Sequence, residues 1–180
     1  MITVISGTNR RNSETERIAG YIVERLRNRF EVEAKLLTLT DLPADILHDD
    51  MYSKDGQSDE LGNLQDAEMV PADKFWFVFP EYNGSFPGVL KLFLDALSVR
   101  RYKETFASKK AALTGVSSGR AGNLRGMEQL TGILNHLQVV VLPNKLPISS
   151  VEELLKGNST LSDQNTVEVL DKQMAEFLAF

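Results

Sequence analysis

Phe75-Trp76-Phe77-Val78-Phe79-Pro80-Glu81-Tyr82-Asn83-Gly84-Ser85-Phe86-Pro87-Gly88 opens as the most apolar run of the chain and ends where a helical spacing begins. Aromatic and β-branched residues closed by Pro, Asn and Gly read as a buried strand emptying into a turn. Val89, Leu90, Phe93, Leu94 and Leu97 then recur at three- and four-residue intervals, the stripe of a helix laid on the sheet. Ser85 and Pro87 suit the helix start, Ser as a cap for free N–H groups and Pro where a donor is not needed. Asn83-Gly84 permits a left-handed, tight backbone that brings N–H groups close to a flat ligand. A solvated connection would not require so many special residues, so the turn is read as a ligand cradle.

The same alternation runs through the rest of the chain. Ile2-Thr3-Val4-Ile5 is a strand that meets the polar turn Ser6 to Ser13, and Ile18, Ala19, Ile22, Val23, Leu26 and Phe30 line the next helix. Val32, Ala34, Leu36 and Leu37 give a second strand, so the first unit is strand, helix, parallel strand. After the central strand and helix comes Lys110-Ala111-Ala112-Leu113-Thr114, a strand ending in the turn Gly115 to Asn123, then a helix carrying Leu124, Met127, Leu130, Leu134 and Leu137. Gln138 to Leu142 reads as the last strand, Val151 to Leu155 as a short helix stopped at Gly157, and Val167, Leu170, Met174, Phe177 and Leu178 as a terminal helix. The implied fold is α/β, a doubly wound five-stranded parallel sheet in the order 2-1-3-4-5 with helices on both faces. Residues 1–180 are read as a single domain.

Residues 40–71 break the rhythm as a long excursion, with Leu61, Leu64, Ala67 and Glu68 suggesting a short helix. Loops of this length serve as lids or contact surfaces, or are mobile. Asp45, Asp49, Asp50, Asp55, Asp59 and Glu60 lack the ligand spacing and glycine of a calcium loop and are read as solvated, and His48 has no placed partner. Arg100, Arg101 and Lys103 gather beyond the third helix, where cations complement the helix dipole; a dinucleotide phosphate is the alternative reading. His136 is read in the same way, at a helix end or in solvent.

With no cysteine, the chain has neither disulfide framework, thiolate nucleophile nor Cys-ligated metal, which suits the cytoplasm. A net charge of −5 without a basic stripe argues against nucleic acid. No apolar run reaches the roughly 18 residues of a membrane span, and no basic segment leads an apolar one at the N-terminus.

In the order 2-1-3-4-5 the ligand crevice falls between strands one and three, beyond their carboxyl ends. The two richest turns follow those strands, and the Ser117 to Gly122 turn lies beside them. The first turn has the chemistry of a phosphate site: hydroxyls at Thr8 and Ser13, free N–H groups at a helix start, and the fork of Arg10. The same residues would also make a capped helix with a surface arginine. Neither the dinucleotide glycine pattern nor a P-loop lysine is present, which leaves a monophosphate.

Gly7-Thr8-Asn9-Arg10-Arg11-Asn12-Ser13, Pro80 through Lys91 and Gly115 through Gly122 together resemble the NADPH-dependent FMN reductases, which have a flavodoxin-like fold. That resemblance spans roughly residues 1 to 143. It implies that Thr8, Arg10, Ser13 and Thr15 hold the phosphate of FMN with help from the N–H of Glu14. Pro80, Glu81, Tyr82, Asn83 and Gly84 would border the isoalloxazine, and Ser117, Ser118 and Gly119 its other rim. The chain departs from the family at Thr8, Glu14 and Thr15 and at Asn123, which stands where the second of two glycines is usual. The carboxylate of Glu14 is expected to point away from a phosphate. The implied activity is hydride transfer from NADPH or NADH to FMN and on to a small acceptor such as a flavin, quinone, azo compound or metal oxyanion. No protein acid, base or nucleophile and no metal is needed, because the cofactor carries the chemistry. A homodimer or homotetramer is implied, with residues 40–71 and Phe86 as candidate contacts. A flavodoxin-type electron carrier and a flavin-free interaction module are the rival functions.

Overall fold

A computed structural model describes residues 1–53, 56–155, 157 and 161–180. Asp55, among the acidic residues of the excursion, therefore lies outside the described residues. The elements run β1 (Ile2–Ser6), α1 (Glu14–Asn28), β2 (Ala34–Thr38), α2 (Asp59–Leu64), β3 (Lys74–Pro80), α3 (Gly88–Ser98), α4 (Tyr102–Phe106), β4 (Lys110–Val116), α5 (Leu124–His136), β5 (Val140–Val141), β6 (Leu146–Ile148), α6 (Val151–Leu154) and α7 (Gln164–Ala179).

All strand pairs are parallel, in the order β2-β1-β3-β4-β5. The register sets Ile5 beside Leu37 on one side and Phe77 on the other. Period-two alternation along β3 divides the core: Phe75, Phe77 and Phe79 pack with α3 and α5, while Trp76 and Val78 pack with α1 and α7. Each of these side chains is fully buried, contributing about 1.5–3 kcal/mol relative to exposure.

The fifth place in the sheet departs from the expected Gln138 to Leu142. It is filled by two short strands, β5 beside Lys110 and Ala111 and β6 beside Thr114, Gly115 and Val116. Pro143, which has no N–H, lies in the break between them. Buried Gln173 of α7 plugs the gap: its amide donates to the carbonyls of Leu113 (3.0 Å) and Asn144 (2.8 Å), and its carbonyl accepts from Thr114 Oγ1 (3.1 Å), which accepts from Trp76 Nε1 (2.9 Å). A break in an edge strand is thus satisfied by a side chain.

The excursion is partly core. Met51, Leu61 and Met69 are buried against the α3 side of the sheet, and Gln65, inside a π-helical segment Gln65–Met69, donates to the carbonyls of Leu97 (2.9 Å) and Arg100 (2.7 Å) at the end of α3. Since α3 runs antiparallel to β3, that anchor lies at the amino ends of the strands. Arg100 and Arg101 are not left to the dipole or to a phosphate: both close on Asp66, at 2.6 and 2.7 Å, and hold its carboxyl down at about 2.

Candidate functional site

The turns after β1, β3 and β4 meet at the carboxyl rim of the sheet, across the point where strand order reverses, and enclose a cleft of about 260 Å³. Its walls are Arg10, Asn12, Ser13, Glu14, Thr15, Pro80, Glu81, Tyr82, Val116, Ser117, Ser118, Val151 and Glu152.

The first wall is built by the start of α1. Ser13 is its N-cap, accepting from the N–H of Glu16 at 3.1 Å, so the neighbouring N–H groups of the first turn remain directed at the cleft. Arg10 is exposed and has no ion-pair partner among the described residues. The Glu14 carboxylate turns to Arg17, one turn along, at 2.5 Å. Arg17 also donates to the Leu155 carbonyl at 3.4 Å, tying the head of α1 to the end of α6.

The second wall differs in detail from expectation. Tyr82 and Ser85 exchange backbone hydrogen bonds at 2.9 and 3.1 Å around Asn83 and Gly84, both at positive φ (53° and 79°), the signs of a two-residue hairpin turn. The left-handed reading of Asn83-Gly84 holds. Ser85, however, does not cap α3. Its backbone is spent on Tyr82 and its hydroxyl on Gln129 of α5, so the helix begins later, with Pro87 at the cap position. A Cβ placed on Gly84 would meet nothing closer than Arg125 Nη1 at 4.0 Å, so this face of the turn is open to a ligand.

The third wall is held by the segment that follows it. Ser117 N–H donates to Ile148 O (3.0 Å), and the N–H groups of Val151 and Ser150 donate to Ser117 O (3.1 Å) and Gly119 O (3.2 Å). The Ser117 hydroxyl works within the loop, donating to Gly119 O at 2.8 Å and accepting from Gly122 N–H at 3.0 Å. Gly115 is required here, because a Cβ would stand 2.3 Å from Gly122 O. Asn123, buried and at φ 63°, takes the place of a glycine and donates to Phe79 O at 3.2 Å, joining this loop to the end of β3.

Nine of the residues singled out from sequence line one cleft: Arg10, Ser13, Glu14, Thr15, Pro80, Glu81, Tyr82, Ser117 and Ser118. Thr8 is not on its surface. It is buried, its hydroxyl 2.8 Å from Tyr82 Oη and accepting from Arg10 N–H at 3.2 Å, so it joins the first turn to the second. Asn83, Gly84 and Gly119 stand at the rim beyond the lining. Asn12, Val116, Val151 and Glu152 line the cleft without having been singled out. The positive φ of Asn12 (53°) goes with a turn residue that its type allows, but α6 carries no local mark of its place in the site.

These features fit a flat, phosphorylated ligand: capped helix N–H groups with an unpaired arginine at one end, an open glycine face at the other, and hydroxyls between. No group of three or more His, Cys, Asp or Glu that could hold a metal occurs among the described residues. Among them, too, no helix is long and apolar enough to cross a membrane.

The family model described as NADPH-dependent FMN reductase matches residues 1–153. A 2-hydroxy-1,4-benzoquinone reductase of a Burkholderia species is 27% identical over 182 residues, 99% of this chain and 94% of the relative. An FMN-dependent NADPH-azoreductase of Staphylococcus aureus is 29% identical over 141 residues, 77% of this chain and 67% of the relative. Among solved structures, the flavoenzyme NAD(P)H:(acceptor) oxidoreductase of Paracoccus denitrificans superposes with a TM-score of 0.79 at 24% identity, over 98% of this chain and 94% of that one.

Proposed function

This chain belongs to the NADPH-dependent FMN reductase family, and from that premise we propose that the three-loop cleft is its FMN site and the place where NAD(P)H and a small acceptor react in turn. The observation that carries the assignment is the convergence, at the strand-order reversal, of a capped helix head with an unpaired arginine and a turn whose glycine face is open. Residues 1–180 then act as one FMN-binding domain.

FMN, when bound, supplies hydride chemistry between nicotinamide and acceptor. The chain's own residues bind and orient. The Arg10 guanidinium, the hydroxyls of Ser13 and Thr15 and the N–H of Glu14 hold the phosphate, with Thr8 keeping Arg10 and Tyr82 in register. Pro80 to Gly84 would border the ring on one side and Ser117, Ser118 and Gly119 on the other, with Pro80, Glu81, Tyr82, Ser117 and Ser118 lining the cleft itself. The Glu14–Arg17 pair keeps a carboxylate from facing the phosphate. No side chain is required to move a proton for the hydride step, so the catalytic role of the protein is placement.

The named relatives reduce a quinone and azo compounds, and we take small quinones and azo compounds as the acceptor class. A homodimer or homotetramer is part of the proposal; a groove of about 500 Å³ framed by α3, the start of α4 and α5, lined by Lys91, Tyr102, Ile133 and His136 among others, offers a face for it. A cytoplasmic location follows from the need for a reduced nicotinamide donor. Steady-state NADPH oxidation with benzoquinones and azo dyes tests the reading: acceptor-dependent turnover that requires FMN is expected, and none with any acceptor contradicts it.

A further inference from the structure

The sequence contains 20 Lys and Arg residues, and most of those in the structure are engaged by carboxylates or backbone carbonyls. Among the described residues, the cations with no ion pair and no side-chain hydrogen bond are Arg10, Arg11, Lys103, Arg120 and Arg125. Arg10 and Arg11 lie on the turn after β1, Arg120 on the turn after β4 and Arg125 at the head of α5, all at the carboxyl end of the sheet; Lys103, in α4, stands at the other end. Arg10 and Arg11 belong to the phosphate turn. Arg120 and Arg125 belong to the turn after β4 and the head of α5, outside the lining of the cleft, and the FMN site leaves them without work.

Their placement runs against what folding alone favours. Arg125 is the second residue of α5, where the helix dipole already presents positive charge, and the first turn of α5 has no acidic residue to offset it. The first turns of α1 and α2 carry acids and those of α3 and α7 do not, but none of these four helices has an arginine among its first three residues. The Arg125 side chain lies along the ligand turn, Nη1 4.0 Å from the Cβ position of Gly84, and Arg120 follows Ser118, which lines the cleft. The backbone of Arg120 is fixed, its carbonyl accepting from Ser149 Oγ at 2.7 Å, while its side chain is exposed. Leu124, between them in the chain, is 52% exposed, so apolar surface accompanies the charge.

We propose that Arg120 and Arg125 form a second anion site, which receives a phosphate of the nicotinamide dinucleotide while its reduced ring enters the cleft. This rests on the functional reading above and deepens it by naming how the donor is recognised. Two guanidinium groups without protein carboxylates complement a phosphate in charge, and each carries the planar fork of donors that phosphate oxygens accept. Because both are exposed, their attraction is screened, and donor binding should weaken with rising ionic strength.

The test uses the FMN-loaded full-length chain and the double variant Arg120→Gln/Arg125→Gln, with Lys103→Gln as the control. Calorimetric titration with 2′,5′-ADP reads the site without turnover, and KM and kcat are measured separately for NADPH and NADH. The double variant should bind 2′,5′-ADP at least roughly tenfold more weakly and show a similar rise in KM with kcat and FMN retention kept, as for loss of charged hydrogen bonds. A rise for NADPH alone assigns the 2′-phosphate, and a rise for both donors assigns the diphosphate; either supports the site. Unchanged 2′,5′-ADP affinity and unchanged KM for both donors would overturn it, as would an equal effect of Lys103→Gln. A wild-type protein that retains FMN but oxidises neither donor contradicts the functional reading instead, and the 2′,5′-ADP titration then decides the anion site alone.

Discussion

Removing the Arg10 side chain separates binding from folding. Arg10 is exposed and unpaired among the described residues, and only its backbone N–H is used, by Thr8. Arg10→Ala therefore orphans no buried group, and stability should move by less than about 0.5 kcal/mol. The phosphate of FMN would lose a charge-assisted hydrogen bond, about 1.5–3 kcal/mol, which is roughly a ten- to 150-fold rise in Kd. Exposure places the effect toward the lower figure at physiological ionic strength and toward the upper one in dilute buffer. Flavin fluorescence titrations with FMN and with riboflavin measure it. FMN should weaken while riboflavin, lacking the phosphate, is unaffected, and Arg10→Lys should recover part of the loss. An FMN affinity within about twofold of wild type, or an equal loss for riboflavin, would refute the placement of the phosphate on the first turn.

Gly84→Val should lower FMN occupancy, because a branched side chain fills the open face and φ 79° strains it; the cost to folding should be about 1–2 kcal/mol, read by denaturant unfolding, and normal FMN binding would remove this turn from the site. Gln173→Leu leaves the Leu113 and Asn144 carbonyls unpaired inside the sheet, so about 1–3 kcal/mol should be lost, seen as a fall of roughly 2–12 °C in Tm. Asp66, held at about 2 by the hydrogen bonds of Arg100 and Arg101, has a folded pKa below its unfolded value. Its contribution to stability is full above the ordinary carboxylate range and is lost as pH falls through about 2; acid titrations of wild type and Asp66→Asn should converge at the low end of that window.

The fold was legible because its decisive signals are local. A strand alternating Phe75, Phe77 and Phe79 with Trp76 and Val78 must be covered on both faces, and the order of strands and helices around it leaves one economical topology. The three loops were legible because Gly, Asn, Ser and Pro mark turns wherever they fall. What escaped is what depends on residues distant in sequence. Nothing near Gln173 says that a broken edge strand needs its amide, and nothing in Val151-Glu152 says that α6 closes the cleft. Thr8 has a phosphate-binding type, yet its hydroxyl meets Tyr82, a partner visible only once the first two turns are adjacent. The Ser85 cap failed for a related reason: the Asn83-Gly84 hairpin competed for the same backbone and won. Arg100 and Arg101 read as partners of the helix dipole because Asp66, which they pair with, lies over thirty residues away on a different element.

The central claim is that the cleft holds FMN and reduces it with a nicotinamide. Purified chain incubated with FMN, freed of excess by gel filtration and titrated with NADPH under anaerobic conditions, followed in the visible spectrum, tests both halves at once. The account predicts a yellow protein with about one flavin per chain that bleaches with about one equivalent of NADPH, as two-electron hydride transfer requires. A protein that leaves the column colourless contradicts the assignment of the cleft, and one that stays yellow with NADPH and NADH alike contradicts the reductase activity.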